Sequence, residues 1–169
     1  AFDKVARMLN LPYPGGPEIS KLAEQARVEN IKNVIKLPRP MIHSKDLKFS
    51  FSGLKTAVLY TLKNIGEPSI DQKKDIAREF EDAVTEVIIS KTLSAMNDNE
   101  VRTLIVGGGV VANTHIRKSF ENLAKEKNIP LLSPTVGLTG DNALMIALVG
   151  TQKPSSVTRA FRAEGNLSC

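Results

Sequence analysis

The chain has 169 residues, 41% hydrophobic and 24% charged. That is enough for one well-buried core and too apolar for a disordered segment. No apolar run approaches the roughly 20 residues of a membrane helix, and the first residues do not read as a signal peptide. The balance of 23 basic against 18 acidic residues, net +5, admits a polyanionic partner, but with no Trp and two Tyr a base-stacking aromatic platform is not expected.

In chain order, Ala1 to Leu9 reads as a helix with Phe2, Val5, Met8 and Leu9 on one face. PYPGGP breaks it, and Pro17 suits the first position of a second helix carrying Ile19, Leu22, Ala23 and Ala26. Residues 30–46 lack periodicity and scatter basic side chains, as a loop or irregular edge would. LKFSFSG alternates Leu47, Phe49 and Phe51 with polar residues, which predicts a half-buried strand ending at Gly53. Leu54 to Leu62 reads as helix, and Ile70 to Met96 as the longest one, with Ile76, Phe80, Ala83, Val84, Val87, Ile88 and Leu93 forming an apolar stripe. Thr103–Val106 as strand, Gly107–Gly109 as turn, Asn113–Lys127 as helix and Ile129–Leu132 as strand make a βαβ unit with a parallel pair. GDNALMIALVG opens a further apolar helix directly after a glycine. Residues 1–150 are expected to form one lobe and 151–169 a polar tail.

The glycine turns carry the chemistry. In a βαβ unit the helix N-terminus lies at the carboxyl end of the strand, where ligands of α/β sheets bind and where free N–H groups favour anions. Glycines there let a phosphate or ribose reach the main chain. Asn113 offers a donor and an acceptor on the first turn. A tight turn followed by an Asn N-cap explains the same residues without a ligand. The run is neither GxGxxG nor GxxxxGK[ST], so it matches no standard nucleotide fingerprint. A second glycine pair, Gly15-Gly16 in PYPGGPEIS, also opens a helix, and the two turns near positions 16 and 109 could close on one nucleotide. Asp3 is either a ribose acceptor or a solvated helix-end carboxylate. Asp141 is either a dipole-favoured acid or a metal ligand. His43 reads as a loop residue and His115 as a surface residue. With one cysteine, Cys169, and two histidines, no zinc cage is built from these side chains alone. No intrachain disulfide can form, so a reducing compartment such as the cytoplasm is expected.

Four segments in this order, AFDKVARMLNLPYPGGPEI, FSFSGLKTAV, GGGVVAN and GDNALMIA, resemble the second half of the tRNA N6-adenosine threonylcarbamoyltransferases, once labelled O-sialoglycoprotein endopeptidases. The resemblance implies one α/β lobe of an actin/Hsp70/sugar-kinase-like fold, a mixed sheet with flanking helices. It implies transfer of a threonylcarbamoyl group from threonylcarbamoyl-adenylate to N6 of the adenosine beside the anticodon, in tRNAs reading codons that begin with A. Carried over by motif, Asp3, Gly15, Gly16, Ser20, Gly109 and Asn113 are nucleotide contacts and Asp141 a ligand of one divalent ion, iron or zinc. Further partners implied are tRNA and the other proteins of the transfer complex.

Two departures stand out. Many relatives carry an acid at the place of Ser20, and the HxxxH motif that supplies the family's other metal ligands does not occur in this sequence. The chain therefore resembles a C-terminal half, expected to bind metal and adenylate weakly by itself. Two alternatives to the enzyme lobe are a non-catalytic partner subunit of the same fold and another ATP-binding enzyme of that fold. A protease has no support, since HExxH is absent. Lys32, Lys36, Arg39, Lys45, Lys48 and Lys55, with Arg159 and Arg162 in the tail, are the candidate tRNA-facing cations.

Overall fold

The computed structural model describes residues 1–140 and 143–152, with the side chain of residue 136 excepted. In order it contains α1 (Phe2–Met8), α2 (Gly15–Val28), α3 (Ser52–Ile65), α4 (Ile70–Asn97), β1 (Leu104–Ile105), a 3-10 turn (Gly109–Ala112), α5 (Thr114–Glu126), β2 (Leu131–Leu132), a second 3-10 turn (Val136–Leu138) and α6 (Ala143–Gln152). Strands β1 and β2 pair in parallel with Leu104 opposite Leu131 and Ile105 opposite Leu132. The result is helix-dominated α/β, and the βαβ unit read from the sequence is present with shorter strands. Asp141, Arg159, Arg162, Cys169 and all but the first two residues of the proposed tail lie outside the described residues.

The 28-residue α4 is the central element; α2, α3 and α5 pack on it, and α1 packs on α2 and α3. Its apolar stripe buries Ile76, Phe80, Ala83 and Val84 in one cluster with Leu9, Ile19, Leu54 and Ile116, and Val87 further along is buried as well. Phe80 meets Phe2 edge to face, with ring centroids 5.1 Å apart, a favoured aromatic geometry. The helix starts at a capping box: Gln72 N–H donates to the Ser69 hydroxyl (3.2 Å), and Ser69 N–H to Gln72 Oε1 (2.8 Å).

Helices α1, α2 and α5 end by one repeated device. Asn10, Asn30 and Asn128 have φ of 56°, 51° and 53°, a left-handed conformation that asparagine tolerates. The next residue, Leu11, Ile31 or Ile129, donates its N–H to the carbonyl of Ala6, Ala26 or Ala124, five residues back. This is the Schellman bonding pattern. In each case the asparagine is followed by Leu or Ile.

Two expectations are corrected. Residues 47–53 form no strand, and α3 begins already at Ser52. A strand needs an unpaired neighbour, and β1–β2 is the one ladder among the described residues. Phe49 instead meets Phe51 at a tilt of 47° with ring centroids 5.5 Å apart, and Leu47 and Phe49 stay about half exposed. Helix α2 starts at Gly15, two residues before Pro17, after Pro14 in an extended conformation. A proline anywhere in the first turn loses no helical hydrogen bond, so Pro17 did not fix the start.

Gly15 is required by packing. A Cβ there would meet Ala6 Cβ at 2.4 Å and the Asp3 Cα at 2.9 Å, whereas one at Gly16 would meet nothing within 4 Å. Gly15→Ala is therefore expected to cost about 1–3 kcal/mol by overpacking. Gly16→Ala should be neutral or stabilise by up to about 1 kcal/mol through helix propensity. Urea melts of the two variants check the contrast; equal effects would contradict it.

Candidate functional site

The first glycine pair forms a corner between helices. Asp3, exposed near the start of α1, accepts the N–H of Gly15 at 2.9 Å through Oδ1, so this carboxylate caps the first residue of α2. The solvated helix-end carboxylate weighed from the sequence thus has a main-chain partner 12 residues away. Gly16 presents an unobstructed face beside it.

The second glycine run follows β1. Gly108 has φ of 88°, which favours glycine, while Gly107 and Gly109 have open space where a Cβ would stand. Arg117 of α5 fixes the surroundings: its Nε donates to the Val111 carbonyl (3.2 Å) and its terminal nitrogens to Ser133 Oγ (3.2 Å) and the Pro134 carbonyl (3.1 Å). One guanidinium thereby ties the turn after β1 to the segment after β2. Between them opens a cavity of about 490 Å³, floored by Gly107–Gly109 and walled by Pro134, Leu138, Thr139, Gly140, Leu144, Met145 and Leu148. That volume suits a small ligand. Apolar walls beside exposed glycine backbone suit a flat ring system attached to polar groups that reach the main chain.

Asn113 ends the 3-10 turn that Gly109 begins, and caps α5 by accepting Ile116 N–H at 2.9 Å. Its Nδ2 donates to Ser20 Oγ (3.3 Å) and to Glu81 Oε1 (2.5 Å). Glu81 is fully buried on α4. Its Oε2 accepts from Arg27 of α2 at 2.6 Å, Arg27 also donates to Asp82 at 2.5 Å, and His115 Nε2 lies 3.1 Å from the same Asp82 oxygen.

The structure thus brings together Asp3 with Gly15 and Ser20 with Asn113. Gly109 lines the cavity, whereas Asp3, Gly15, Gly16, Ser20 and Asn113 are not among its walls. Asp141 is outside the described residues, and among those described no group of three or more His, Cys, Asp or Glu is placed to hold a metal ion. The described side chains therefore do not fit a metal centre by themselves.

Three features of the site were missed in the sequence. Glu81, Arg27 and Asp82 were not singled out in the sequence; only the approach of α2 and α5 to α4 shows them converging. His115, read as a surface residue, is half-buried against Asp82. Arg39 leaves the candidate tRNA surface, because it donates to Glu79, to both carboxylate oxygens of Glu86 and to the Leu37 carbonyl.

Burial acts to raise the Asp82 pKa, but hydrogen bonds from His115 and Arg27 outweigh it and hold the carboxyl below the usual aspartate value. A depressed folded pKa contributes stability that is complete above the unfolded value and is lost as pH falls through the folded one. Thermal stability should fall below roughly pH 4, and Asp82→Asn should flatten part of that fall while lowering stability at pH 7. An acid limb identical in the variant would contradict the assignment.

A sequence profile described as tRNA N6-adenosine threonylcarbamoyltransferase matches residues 1–148. Curated proteins of that name resemble the chain closely. The one from Thermosipho africanus is 47% identical over 150 residues, covering 89% of this chain and 44% of that protein. The one from Paraburkholderia xenovorans is 47% identical over 152 residues, covering 89% and 43%. The one from Burkholderia thailandensis is 42% identical over 171 residues, covering 95% and 48%. The chain spans less than half the length of these relatives. With its glycine turns and Asn113 inside the matched region, the chain belongs to the tRNA N6-adenosine threonylcarbamoyltransferase family.

Proposed function

We propose that this chain supplies the nucleotide-binding half of a threonylcarbamoyl transferase that acts on adenosine in tRNA in a cytoplasmic setting. The observation that carries the reading is the open glycine turn Gly107–Gly109 on an apolar-walled cavity of about 490 Å³, in a chain matching the family over residues 1–148. The parallel βαβ unit with helices around it is compatible with one lobe of an actin/Hsp70/sugar-kinase-like fold.

In the proposed reaction the N6 amine of adenosine forms a bond to the carbamoyl carbon of threonylcarbamoyl-adenylate. The bond from that carbon to the phosphate oxygen breaks, AMP leaves with the electron pair, and the amine loses a proton. This chain's part is to hold the AMP moiety. The glycine N–H groups approach its phosphate and ribose without a Cβ in the way. Asn113 and Ser20, joined at 3.3 Å, offer amide and hydroxyl groups to a sugar, and Asp3 with Gly15 and Gly16 is proposed as a further contact. Asp141 is proposed as one donor to a divalent ion, iron or zinc, whose remaining donors come from the part of the relatives that this chain does not match. Exposed Lys32, Lys36, Lys45 and Lys48 are proposed to face tRNA, with the remaining proteins of the transfer complex as partners.

The test is a chimera in which this chain replaces the matching segment of the Thermosipho africanus relative. Formation of threonylcarbamoyl-adenosine in tRNA is expected, and Asn113→Ala or Asp141→Ala should lower it at least roughly tenfold, the loss of one interaction with a charged substrate. A folded chimera whose activity is indifferent to both substitutions would point instead to a non-catalytic partner role.

A further inference from the structure

The geometry points to Glu81 as the residue that orients the Asn113 carboxamide: a positioning residue that acts through Asn113 and does not itself touch the nucleotide. The inference rests on the reading above, in which Asn113 contacts the adenylate.

Glu81 has no solvent exposure, an unusual place for a carboxylate unless each oxygen has a partner. Both oxygens do, on two different helices. Oε2 accepts from Arg27 of α2 at 2.6 Å, and Oε1 accepts from Asn113 Nδ2 at 2.5 Å. An ionised carboxylate only accepts hydrogen bonds, so it dictates which end of the Asn113 amide faces it. With the NH₂ end toward Glu81, Oδ1 is turned to cap Ile116 N–H at 2.9 Å. The flipped amide would set two acceptors against each other in a buried site and leave that N–H uncapped, so one orientation is selected.

The remaining Nδ2 hydrogen points to Ser20 Oγ at 3.3 Å, the longest of the three contacts. It is the one a ligand hydroxyl can replace at least cost, because Ser20 is only half-buried and its hydroxyl can turn to water. Glu81 thus leaves Asn113 with one exchangeable donor, aimed across the gap between α5 and α2. Ser20 and Arg27 lie on the same helix two turns apart, so the Arg27–Glu81 pair also sets the width of that gap.

A charge-assisted bond of this length moves the bonded Nδ2 proton of Asn113 well downfield of its twin in ¹H–¹⁵N spectra of the chain. That measurement on the unaltered chain stands even where a variant does not fold, and two ordinary side-chain signals would overturn the inference. Glu81→Gln presents an NH₂ group to Asn113 or to Arg27 and should abolish the shift. Glu86→Gln, which removes an exposed ion pair elsewhere on α4, should leave it in place.

Titration with ADP, followed by chemical shift, gives the functional readout. Glu81→Gln and Asn113→Ala are each expected to weaken ADP by roughly tenfold, and the double variant should bind no more weakly than Asn113→Ala alone. Losses that multiply, or a Glu81→Gln variant with unchanged ADP affinity beside a weakened Asn113→Ala, overturn the positioning role alone. An Asn113→Ala variant with unchanged affinity overturns the nucleotide reading and the positioning role with it.

Discussion

The structure depends on a set of buried charged side chains of α4 as much as on its apolar stripe. Asp75 accepts the N–H groups of Val34 and Ile35, both at 3.0 Å, and Glu79 accepts that of Leu37 at 3.0 Å. Arg78 donates to the Ile31 carbonyl at 2.6 Å and to Asp75 at 2.8 Å, and Lys91 donates to the carbonyls of Ser44 and Asp46. An unpaired buried N–H or carboxylate costs about 1–3 kcal/mol or more. The irregular segment between α2 and α3 has no strand partner, so the side chains of α4 serve as its ladder. Neither would be stable without the other: the acids need those donors, and the main chain needs those acceptors.

The same helix reaches the glycine turns. Two and three residues after Glu79, Glu81 and Asp82 face α2 and the start of α5, where they engage Arg27, Asn113 and His115. Core and candidate site are therefore one construction. Phe80 and Ile76 bury the apolar edge, and the neighbouring acids set the distance between Ser20 and Asn113. The cavity lined by Gly107–Gly109 is held by a separate clamp, Arg117, which joins the loops after the two strands.

Much of this was legible from periodicity. α4 was expected from Ile70 to Met96 and is found from Ile70 to Asn97; the βαβ unit and the irregular stretch at 30–46 were also read. The failures share a cause. Periodicity assigns polar residues to solvent, so Asp75, Glu79 and Glu81 gave no sign of burial; the segment that covers the first two is itself aperiodic. The alternation at 47–53 looked like a strand because local pattern cannot report that no neighbouring strand exists. Gly15 and Gly16 were indistinguishable as letters, and only the proximity of Ala6 separates a packing requirement from an open approach. The family motifs named Asn113 but not the buried acid behind it.

The most direct measurement of the central claim is amide hydrogen exchange across residues 31–39. If α4 supplies the missing ladder, Val34, Ile35 and Leu37 exchange slowly in the unaltered chain despite lying in no helix or strand. Asp75→Ala should then release Ile35, with Val34 keeping its bond to the Lys32 carbonyl at 3.0 Å, and Glu79→Ala should release Leu37, while the core amides of α4 keep most of their protection. Exchange of these three amides at rates typical of an unstructured peptide in the unaltered chain, or protection of Ile35 and Leu37 that survives both substitutions, would contradict the account.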